Sequence, residues 1–385
     1  MRSRGKRAAA LVADATLGAL APILTRGPTP TVIPPSPRVL VIRCDHIGDA
    51  VMATAVLRPL RDALHPATLD VLAGPWAASV FEGHPAVDHV LRYAAPWWSA
   101  VRGASAQERA AQWAELPRIL HQIRGNKYDV GIDLRGDLRQ IVLFLVLGGM
   151  PVRVSSDRTG GRRMLTHVWP YDASLHEVEK NFAIAALLGA VGRPRLDVVA
   201  PPPGSDALHA IIPNHSVAGY AVFALKGSEP NRAWPPAHAA AVADAMFREF
   251  GLTSIYLGGP SDVSFGNDVA GLTRAPMVNL AGKTSLTDAL AVLQHATVTI
   301  AVDSGPMHLA AAVGSPVVAL FGPGNPAEAR PWSDNARVIS EGAPCGCVHP
   351  RCDYTDGPGR CMSAIDPERV IDAVREIVAR SSTAR

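Results

Sequence analysis

The sequence has little of several features that mark common protein classes. Aromatic residues make up 5% and charged residues 18% of its 385 positions, and 37 basic residues face 34 acidic ones. So small an excess of positive charge does not indicate nucleic-acid binding, which usually shows a clustered basic surface. The longest apolar run, residues 141–149, is about half of the roughly 20 residues that a membrane-spanning helix needs. The composition is that of an ordinary globular protein, which excludes wholesale disorder and a collagen-like build.

Cysteine is scarce, with five residues in the chain, and its distribution is uneven. Four cysteines lie close together near the C-terminus: Cys345, Cys347, Cys352 and Cys361. Their spacing is not a standard zinc motif, although four thiols with a nearby histidine have the chemistry to hold a metal ion. The alternatives are free thiols in a loop or disulfides, and disulfides are disfavoured in the cytosol. A structural metal at this cysteine cluster is therefore one of three interpretations.

Proline-rich stretches divide a chain that is too long for one ordinary core. Residues 27–37 cannot form a helix or a central strand, and the second stretch, residues 197–206, marks a domain boundary. We predict an N-terminal arm and linker at 1–37, an N-terminal domain at 38–200 and a C-terminal domain at 213–385. The arm combines four basic residues with an apolar stretch, as in a signal peptide, but it also fits an amphipathic helix resting on an anionic membrane surface. We favour the uncleaved arm.

Both domains show short β-branched runs that alternate with helical spacing. In the N-terminal domain the run 38–43 is followed by a turn and a helical pattern, and residues 75–83 and 104–124 also predict helices. This alternation predicts a doubly wound α/β domain with a mostly parallel sheet. Two such domains would face each other across a cleft at the C-terminal edges of their sheets, where ligands of these folds bind.

A tight turn at residues 303–305 connects an apolar strand to a short helix that we predict to begin at Pro306 and end at Gly314. Asp303, Ser304 and Gly305 would then lie at a helix N-terminus, where unpaired N–H groups favour an anion such as phosphate. The alternative is that Asp303 or Ser304 only caps the helix.

A second turn, CDHIGD, follows the first strand and carries Asp45 and Asp49 beside Gly48. It lacks the three glycines of a dinucleotide-binding turn, so hydride chemistry with a nicotinamide cofactor is not indicated. A carboxylate at this place can be a helix cap or a catalytic group. Further along, four arginines within residues 153–163 are either a solvated surface or a site for an anionic acceptor.

Five segments in order resemble the family 9 glycosyltransferases, the ADP-heptose:lipopolysaccharide heptosyltransferases. They are residues 38–61, 71–91, 176–182, 231–236 and 302–323. The resemblance runs from about Arg38 to Ala379. It implies a GT-B fold of two Rossmann-like domains, with the acceptor on the N-terminal domain and the nucleotide-sugar donor on the C-terminal one. It also implies an inverting transfer, from ADP-heptose or a similar donor, that requires no metal or other cofactor.

The resemblance assigns roles to individual residues. Asp49 matches the catalytic base, and Arg232 stands where the family has a lysine that contacts the donor diphosphate. The donor-binding set is Ser228, Arg232, Asp303, Ser304, Gly305 and His308. The basic residues that we assign to acceptor binding are Arg135, Arg158, Arg162 and Arg163. A helix N-terminus with a guanidinium would stabilise the charge that gathers on a leaving diphosphate.

We therefore expect a cytoplasmic glycosyltransferase that moves a sugar to a hydroxyl of a lipopolysaccharide-core or other surface-glycan acceptor. It would contact the cytoplasmic membrane face peripherally and would not bind nucleic acid. The alternative is a nucleotide-sugar-binding protein without transferase activity, against which the retention of Asp49 argues. A Rossmann-type epimerase would need a GxGxxG turn and a Tyr-x-x-x-Lys pair, and neither is visible.

Overall fold

A computed structural model describes residues 32–101, 103–202, 219–341 and 359–383. Contacts divide the chain into two compact units, one that runs to Asp197 and one that starts at Val198. Each unit contains one six-stranded sheet, and every neighbouring pair of strands in both sheets is parallel. Among the described residues, no helix is both long and apolar enough to cross a membrane.

The first unit alternates strands with helices. Its strands are β1 (Arg38–Arg43), β2 (Thr68–Ala73), β3 (His89–Arg92), β4 (Val130–Asp133), β5 (Val152–Ser156) and β6 (His167–Trp169). Its α-helices are α1 (Ile47–Ala53), α2 (Leu57–Leu64), α3 (Pro96–Val101), α4 (Ala106–Asn126), the single turn α5 (Leu138–Gln140) and α6 (Glu177–Ala186). The sheet order is β3-β2-β1-β4-β5-β6. Val39 of β1 is level with Leu69 on one side and Val130 on the other.

The second unit repeats this plan. Its strands are β7 (Tyr220–Ala224), β8 (Thr253–Tyr256), β9 (Met277–Asn279), β10 (Val298–Val302), β11 (Val317–Phe321) and β12 (Ala336–Ser340). Its α-helices are α7 (Pro236–Phe250), α8 (Val263–Leu272), α9 (Leu286–Gln294), α10 (Gly305–Ala312), α11 (Pro326–Ala329), α12 (Arg360–Ser363) and α13 (Pro367–Thr383). The sheet order is β12-β11-β10-β7-β8-β9.

Both sheets therefore have the strand order of a Rossmann fold, and the predicted doubly wound α/β class is confirmed. In each unit the first and fourth strands are neighbours at the centre of the sheet. The chain leaves these two strands toward opposite ends of the sheet, which opens a crevice beyond their C-terminal ends. The segments that follow β1 and β4, and those that follow β7 and β10, are therefore the places where a ligand site is expected.

The central strands are buried because their sequences are almost wholly apolar, as parallel strands covered on both faces must be. The hydrophobic core of the second unit contains Trp234, which is completely buried and donates from Nε1 to the Ile365 carbonyl at 3.2 Å. This bond ties the loop before α7 to the C-terminal segment. Trp234 thus fixes the position of the chain immediately after Arg232.

Some local predictions hold and others are wrong. The helix expected at 104–124 is confirmed as α4, and the helix expected to begin at Pro306 begins one residue earlier. The helix expected at 75–83 is wrong, because only residues 78–80 form a 3₁₀ turn there. Gly83 has φ +74 and Pro75 opens the segment, so the stretch between them folds as consecutive turns. The apolar run 141–146 is a π-helix that continues from α5.

Candidate functional site

The crevice of the first unit contains the carboxylate that the sequence singled out. Asp49 is the third residue of α1, whose N-cap is His46. Its side chain is 14% exposed, and Oδ1 accepts hydrogen bonds from Arg43 Nη2 at 2.8 Å and from Arg135 Nη1 at 3.4 Å. Arg43 ends β1 and Arg135 follows β4. Asp49 thus lies at the switch point of the sheet, between two guanidinium groups.

Arg43 is completely buried and is surrounded by acceptors. Its Nη1 donates to the Leu134 carbonyl at 3.0 Å and to Asn181 Oδ1 at 3.1 Å, while Nε lies 2.8 Å from Asp45 Oδ1. Burial alone would lower the pKa of Arg43, but the carboxylates of Asp45 and Asp49 raise it overall. The side chain is therefore a permanent positive charge inside the unit.

Arg135 completes a compact ionic network with Asp45 and Asp49. Its Nη1 lies 3.3 Å from Asp45 Oδ2, and its guanidinium stacks over the Trp98 ring at 5.1 Å. Asp45 is buried, which raises its pKa, whereas Arg43 opposes that change. The prediction placed Arg135 in the acceptor site, and the structure brings it into contact with Asp49.

Glu177, the first residue of α6, links this network to a second set of basic residues. Its Oε2 lies 3.8 Å from Arg43 Nη2, and its Oε1 lies 3.3 Å from Arg158 Nη1 and 3.1 Å from Lys180 Nζ. Burial would raise the pKa of Glu177, but the guanidiniums of Arg43 and Arg158 lower it overall. Arg158 and Lys180 both lie over the Tyr171 ring, at 5.0 and 5.3 Å. Arg158 is thus connected to Asp49 through Glu177 and Arg43.

The remaining arginines of this region differ in setting. Arg162 and Arg163 are exposed, and Arg162 pairs with Asp157 at 3.0 Å. Arg153 is buried and donates to the carbonyls of Met164, Met150 and Pro151 at 2.6 to 3.0 Å. Arg153 therefore holds the loop together, whereas Arg162 and Arg163 present charge at the surface.

Asp133, at the end of β4, is a buried carboxyl group that sequence reasoning did not single out. It accepts from the backbone N–H groups of Arg135 and Asp137 at 3.2 and 3.1 Å, and from Ser155 Oγ at 3.0 Å. Burial and the nearby Asp137 raise its pKa to about 7. These bonds fix the loop that carries Arg135.

In the second unit, the crevice brings together two of the predicted donor residues. Arg232 Nη1 donates to Asp303 Oδ2 at 2.9 Å, and the two side chains are 22% and 14% exposed. Arg232 ends a 3₁₀ turn after β7, and Asp303 follows β10, so the pair marks the switch point of this sheet. A Cβ at Gly227 would approach the Arg232 side chain to 3.1 Å, and one at Gly324 would lie 2.5 Å from Asp303 Oδ2.

Helix α10 begins beside this ion pair. Ser304 is its N-cap residue but makes no side-chain capping bond, because its Oγ donates back to the Val302 carbonyl at 3.0 Å. Gly305 opens the helix and His308 lies within it, 3% exposed. Ser228 is exposed, in the turn before Arg232. The arrangement offers the helix N-terminus and one guanidinium to an anion, as a diphosphate site requires.

The cysteine cluster falls mostly outside the described residues, since Cys345, Cys347 and Cys352 belong to a segment that the structure does not describe. Cys361 is described and is buried in α12. Within the described ranges, no group of three His, Cys, Asp or Glu side chains is arranged to hold a metal ion.

The fold is that of the GT-B glycosyltransferases. The structure of the Escherichia coli ADP-heptose lipopolysaccharide heptosyltransferase II is similar, with a TM-score of 0.71 and 23% identity, covering 90% of this chain and 99% of that one. The model of glycosyltransferase family 9 (heptosyltransferase) matches residues 116–355. The chain belongs to this family and is a glycosyltransferase.

Two curated relatives match over nearly their whole length. Lipopolysaccharide heptosyltransferase 3 of Escherichia coli is 28% identical over 346 residues, which covers 87% of this chain and 98% of that protein. Lipopolysaccharide heptosyltransferase 2 of Salmonella typhimurium is 25% identical over 365 residues, covering 89% of this chain and 99% of that protein. The family resemblance that the sequence motifs indicated is confirmed.

Three residues of the first crevice had no role assigned from the sequence. Arg43, Glu177 and Asp133 are buried ionisable residues at the ends of β1 and β4 and at the start of α6. The signal for Arg43 was a charge at the end of an apolar strand, directly before the CDHIGD turn. Glu177 lies in the segment HEVEKNF, whose family match gave no indication of what it contacts. The contact between Arg43 and Glu177, which are more than a hundred positions apart in the sequence, is visible only in the folded structure.

Proposed function

We propose that this glycosyltransferase moves heptose from ADP-heptose to a hydroxyl group of a lipopolysaccharide-core acceptor, with inversion and without a catalytic metal. The observation that carries the proposal is the position of Arg232, whose guanidinium lies beside the N-terminus of α10 at the switch point of the second sheet. The names of the relatives support the sugar and the acceptor class, and a similar structure supports the donor.

The donor diphosphate would bind where the N–H groups of the first turn of α10 meet Arg232. As the bond to the sugar breaks, negative charge gathers on the departing diphosphate, and preorganised donors stabilise charge that develops in the transition state. The guanidinium can bind two phosphate oxygens at once. Together these groups supply the positive charge that a divalent cation would otherwise provide.

Asp49 would accept the proton of the attacking hydroxyl group. A carboxylate is a weak base for an alcohol, but it suffices when the sugar carbon is already electron-deficient, because the hydroxyl then loses its proton late. The 14% exposure of Asp49 leaves it accessible while Arg43 and Arg135 hold its Oδ1. Attack on the face opposite the diphosphate inverts the anomeric carbon.

We infer an anionic acceptor from the arginines that lie around Asp49 and Glu177. Arg135 and Arg158 would bind it near Asp49, and Arg162 and Arg163 present exposed charge in the same loop region. A lipid-linked acceptor would bring the enzyme to the cytoplasmic face of the membrane. We therefore also propose peripheral contact there from a cytoplasmic protein.

The experiment is to incubate the protein with ADP-heptose and a truncated lipopolysaccharide core and to follow the acceptor by mass spectrometry. GDP-mannose and UDP-glucose serve as alternative donors. We expect the acceptor to gain one heptose, with undiminished rate in EDTA, and NMR of the product to show an anomeric configuration opposite to that of the donor. Donor binding without any transfer would instead favour the nucleotide-sugar-binding alternative.

A further inference from the structure

Asp45 is a completely buried carboxylate that the proposed reaction does not use. It touches both guanidiniums that touch Asp49, since its Oδ1 lies 2.8 Å from Arg43 Nε and its Oδ2 lies 3.3 Å from Arg135 Nη1. We propose that Asp45 is a positioning residue that holds Arg43 and Arg135 in place and offsets their charge, so that Asp49 retains the proton affinity a base requires. This inference rests on the proposed role of Asp49.

The need for such a residue follows from the surroundings of Asp49. Its Oδ1 receives hydrogen bonds from two guanidiniums, and a positive charge this close favours the ionised carboxylate and makes it a weaker base. The effect is large where burial excludes water. A negative charge on the other side of the same guanidiniums opposes it. Asp45 is placed to do this because it contacts both of them.

The geometry of Arg43 makes the coupling direct. The Nε and Nη2 groups share one edge of the guanidinium fork, and they face Asp45 and Asp49 respectively. The other nitrogen, Nη1, is held by the Leu134 carbonyl and by Asn181. Arg43 therefore bridges the two carboxylates in a fixed orientation, and a change of charge at Asp45 is felt at Asp49 without any movement of the backbone.

Other charges around the pair come from several elements. The titratable groups that face Asp45 or Asp49 or their guanidinium partners are Arg43, Cys44, His46, Arg135, Asp137 and Glu177, and Glu177 is itself paired with Arg158 and Lys180. Glu177 approaches Arg43 only to 3.8 Å and shares its charge with two further cations. Asp45 therefore provides the closer opposing charge.

The test compares kcat/KM against pH for the parent, Asp45→Asn and Arg135→Gln, with ADP-heptose and a truncated lipopolysaccharide core. The acid limb of this profile reports the base in the free enzyme. Removing the negative charge of Asp45 should move the limb to lower pH by about one unit and lower kcat at neutral pH by no more than about tenfold, because the rate follows the basicity of Asp49 only in part. Removing the positive charge of Arg135 should move the limb to higher pH.

Asp70→Asn is the matched control, because Asp70 is a buried carboxylate of the same unit that pairs with His89 and Tyr128 instead. It should leave the acid limb where it is in the parent. Opposite shifts in Asp45→Asn and Arg135→Gln would not arise from a structural role alone. If Asp45→Asn does not fold, the double variant Asp45→Asn/Arg135→Gln, which removes both charges of the pair that lies at 3.3 Å, is compared with Arg135→Gln. Its acid limb should lie at lower pH than that of Arg135→Gln, and an identical limb would overturn the inference.

Three results would overturn the inference, and they separate it from the proposed function. If the parent enzyme transfers heptose but the acid limb does not move in Asp45→Asn or in Arg135→Gln, the charge-balancing role of Asp45 is ruled out and the proposed function is not. If the parent enzyme transfers heptose, and turnover is lost in Asp45→Asn but kept in Asp49→Asn, then Asp45 is the base. A parent that transfers nothing to the acceptor contradicts the proposed function itself.

Discussion

Replacing Arg232 with alanine should weaken binding of the donor nucleotide. The variant loses one charge-assisted hydrogen-bonding group at the start of α10, which is worth about 1.5 to 3 kcal/mol. That loss raises Kd by about 10- to 150-fold. The side chain is 22% exposed, so solvent screens the interaction only in part. We therefore expect a result inside this range.

The ion pair with Asp303 makes the prediction sharper. In Arg232→Ala, the Asp303 carboxylate loses the guanidinium that lies 2.9 Å away, and its charge then repels the incoming diphosphate. The double variant Arg232→Ala/Asp303→Asn should for this reason bind ADP more tightly than Arg232→Ala does. Arg232→Lys restores the residue that the family has at this position. Arg232→Lys should lose less affinity for ADP than Arg232→Ala does, because lysine keeps the positive charge although it cannot bind two phosphate oxygens at once as a guanidinium can.

Isothermal titration calorimetry with ADP measures these affinities directly. Arg375→Ala is the matched control, since Arg375 pairs with Glu249 on the exposed surface of the same unit, and its removal should leave Kd unchanged. Equal affinity for ADP in Arg232→Ala and the parent would remove Arg232 from the donor site.

Two further predictions concern stability and metal content. Burial raises the pKa of Asp133 to about 7 in the folded protein, above the value of about 4 for an aspartate in the unfolded chain. The protonated carboxyl group therefore contributes fully to the stability of the fold below about pH 4. This contribution, as much as about 4 kcal/mol, is lost as the pH rises through 7. The urea midpoint of Asp133→Asn should accordingly fall less between pH 5 and pH 8 than that of the parent, and an equal fall would contradict the assignment. If the cysteine cluster holds a structural metal, elemental analysis should find about one equivalent of zinc or iron, whereas metal-free protein in which the four cysteines of the cluster are titratable thiols would leave that interpretation without support.

Much of the fold could be predicted from the sequence, because parallel strands that are buried on both faces have short apolar sequences. The runs at 38–43 and 298–302 give β1 and β10 directly. The segment 75–83 has helical composition but lies between Pro75 and a glycine with positive φ, and its Trp76 indole donates to the Asp45 carbonyl. That tertiary bond cannot be read from spacing, and the helix predicted there was wrong.

Some residues of the candidate site could likewise be predicted from the sequence, and others could not. Asp49, Asp303 and the start of α10 follow from local strand–turn–helix patterns. Glu177 does not, because it reaches the site through Arg43, which lies more than a hundred positions earlier in the chain. Arg43 does not either, because its contacts with Asp45 and Asp49 depend on how the turn after β1 folds. The sequence also does not show that Arg232 and Asp303 pair with each other, since their elements become neighbours only when β7 and β10 pair.

The proposed transfer depends on Asp49 as the base that takes up the proton of the acceptor hydroxyl, and the variant Asp49→Asn tests this role. Asparagine keeps the size of the side chain and an oxygen for Arg43, but it cannot take up the proton. We predict that kcat for transfer from ADP-heptose falls by about 10² to 10⁴-fold, while ADP affinity and melting temperature stay close to those of the parent. A variant that melts earlier yet retains most of its turnover per folded molecule would contradict the claim, and Asp49 would then be a structural residue of α1.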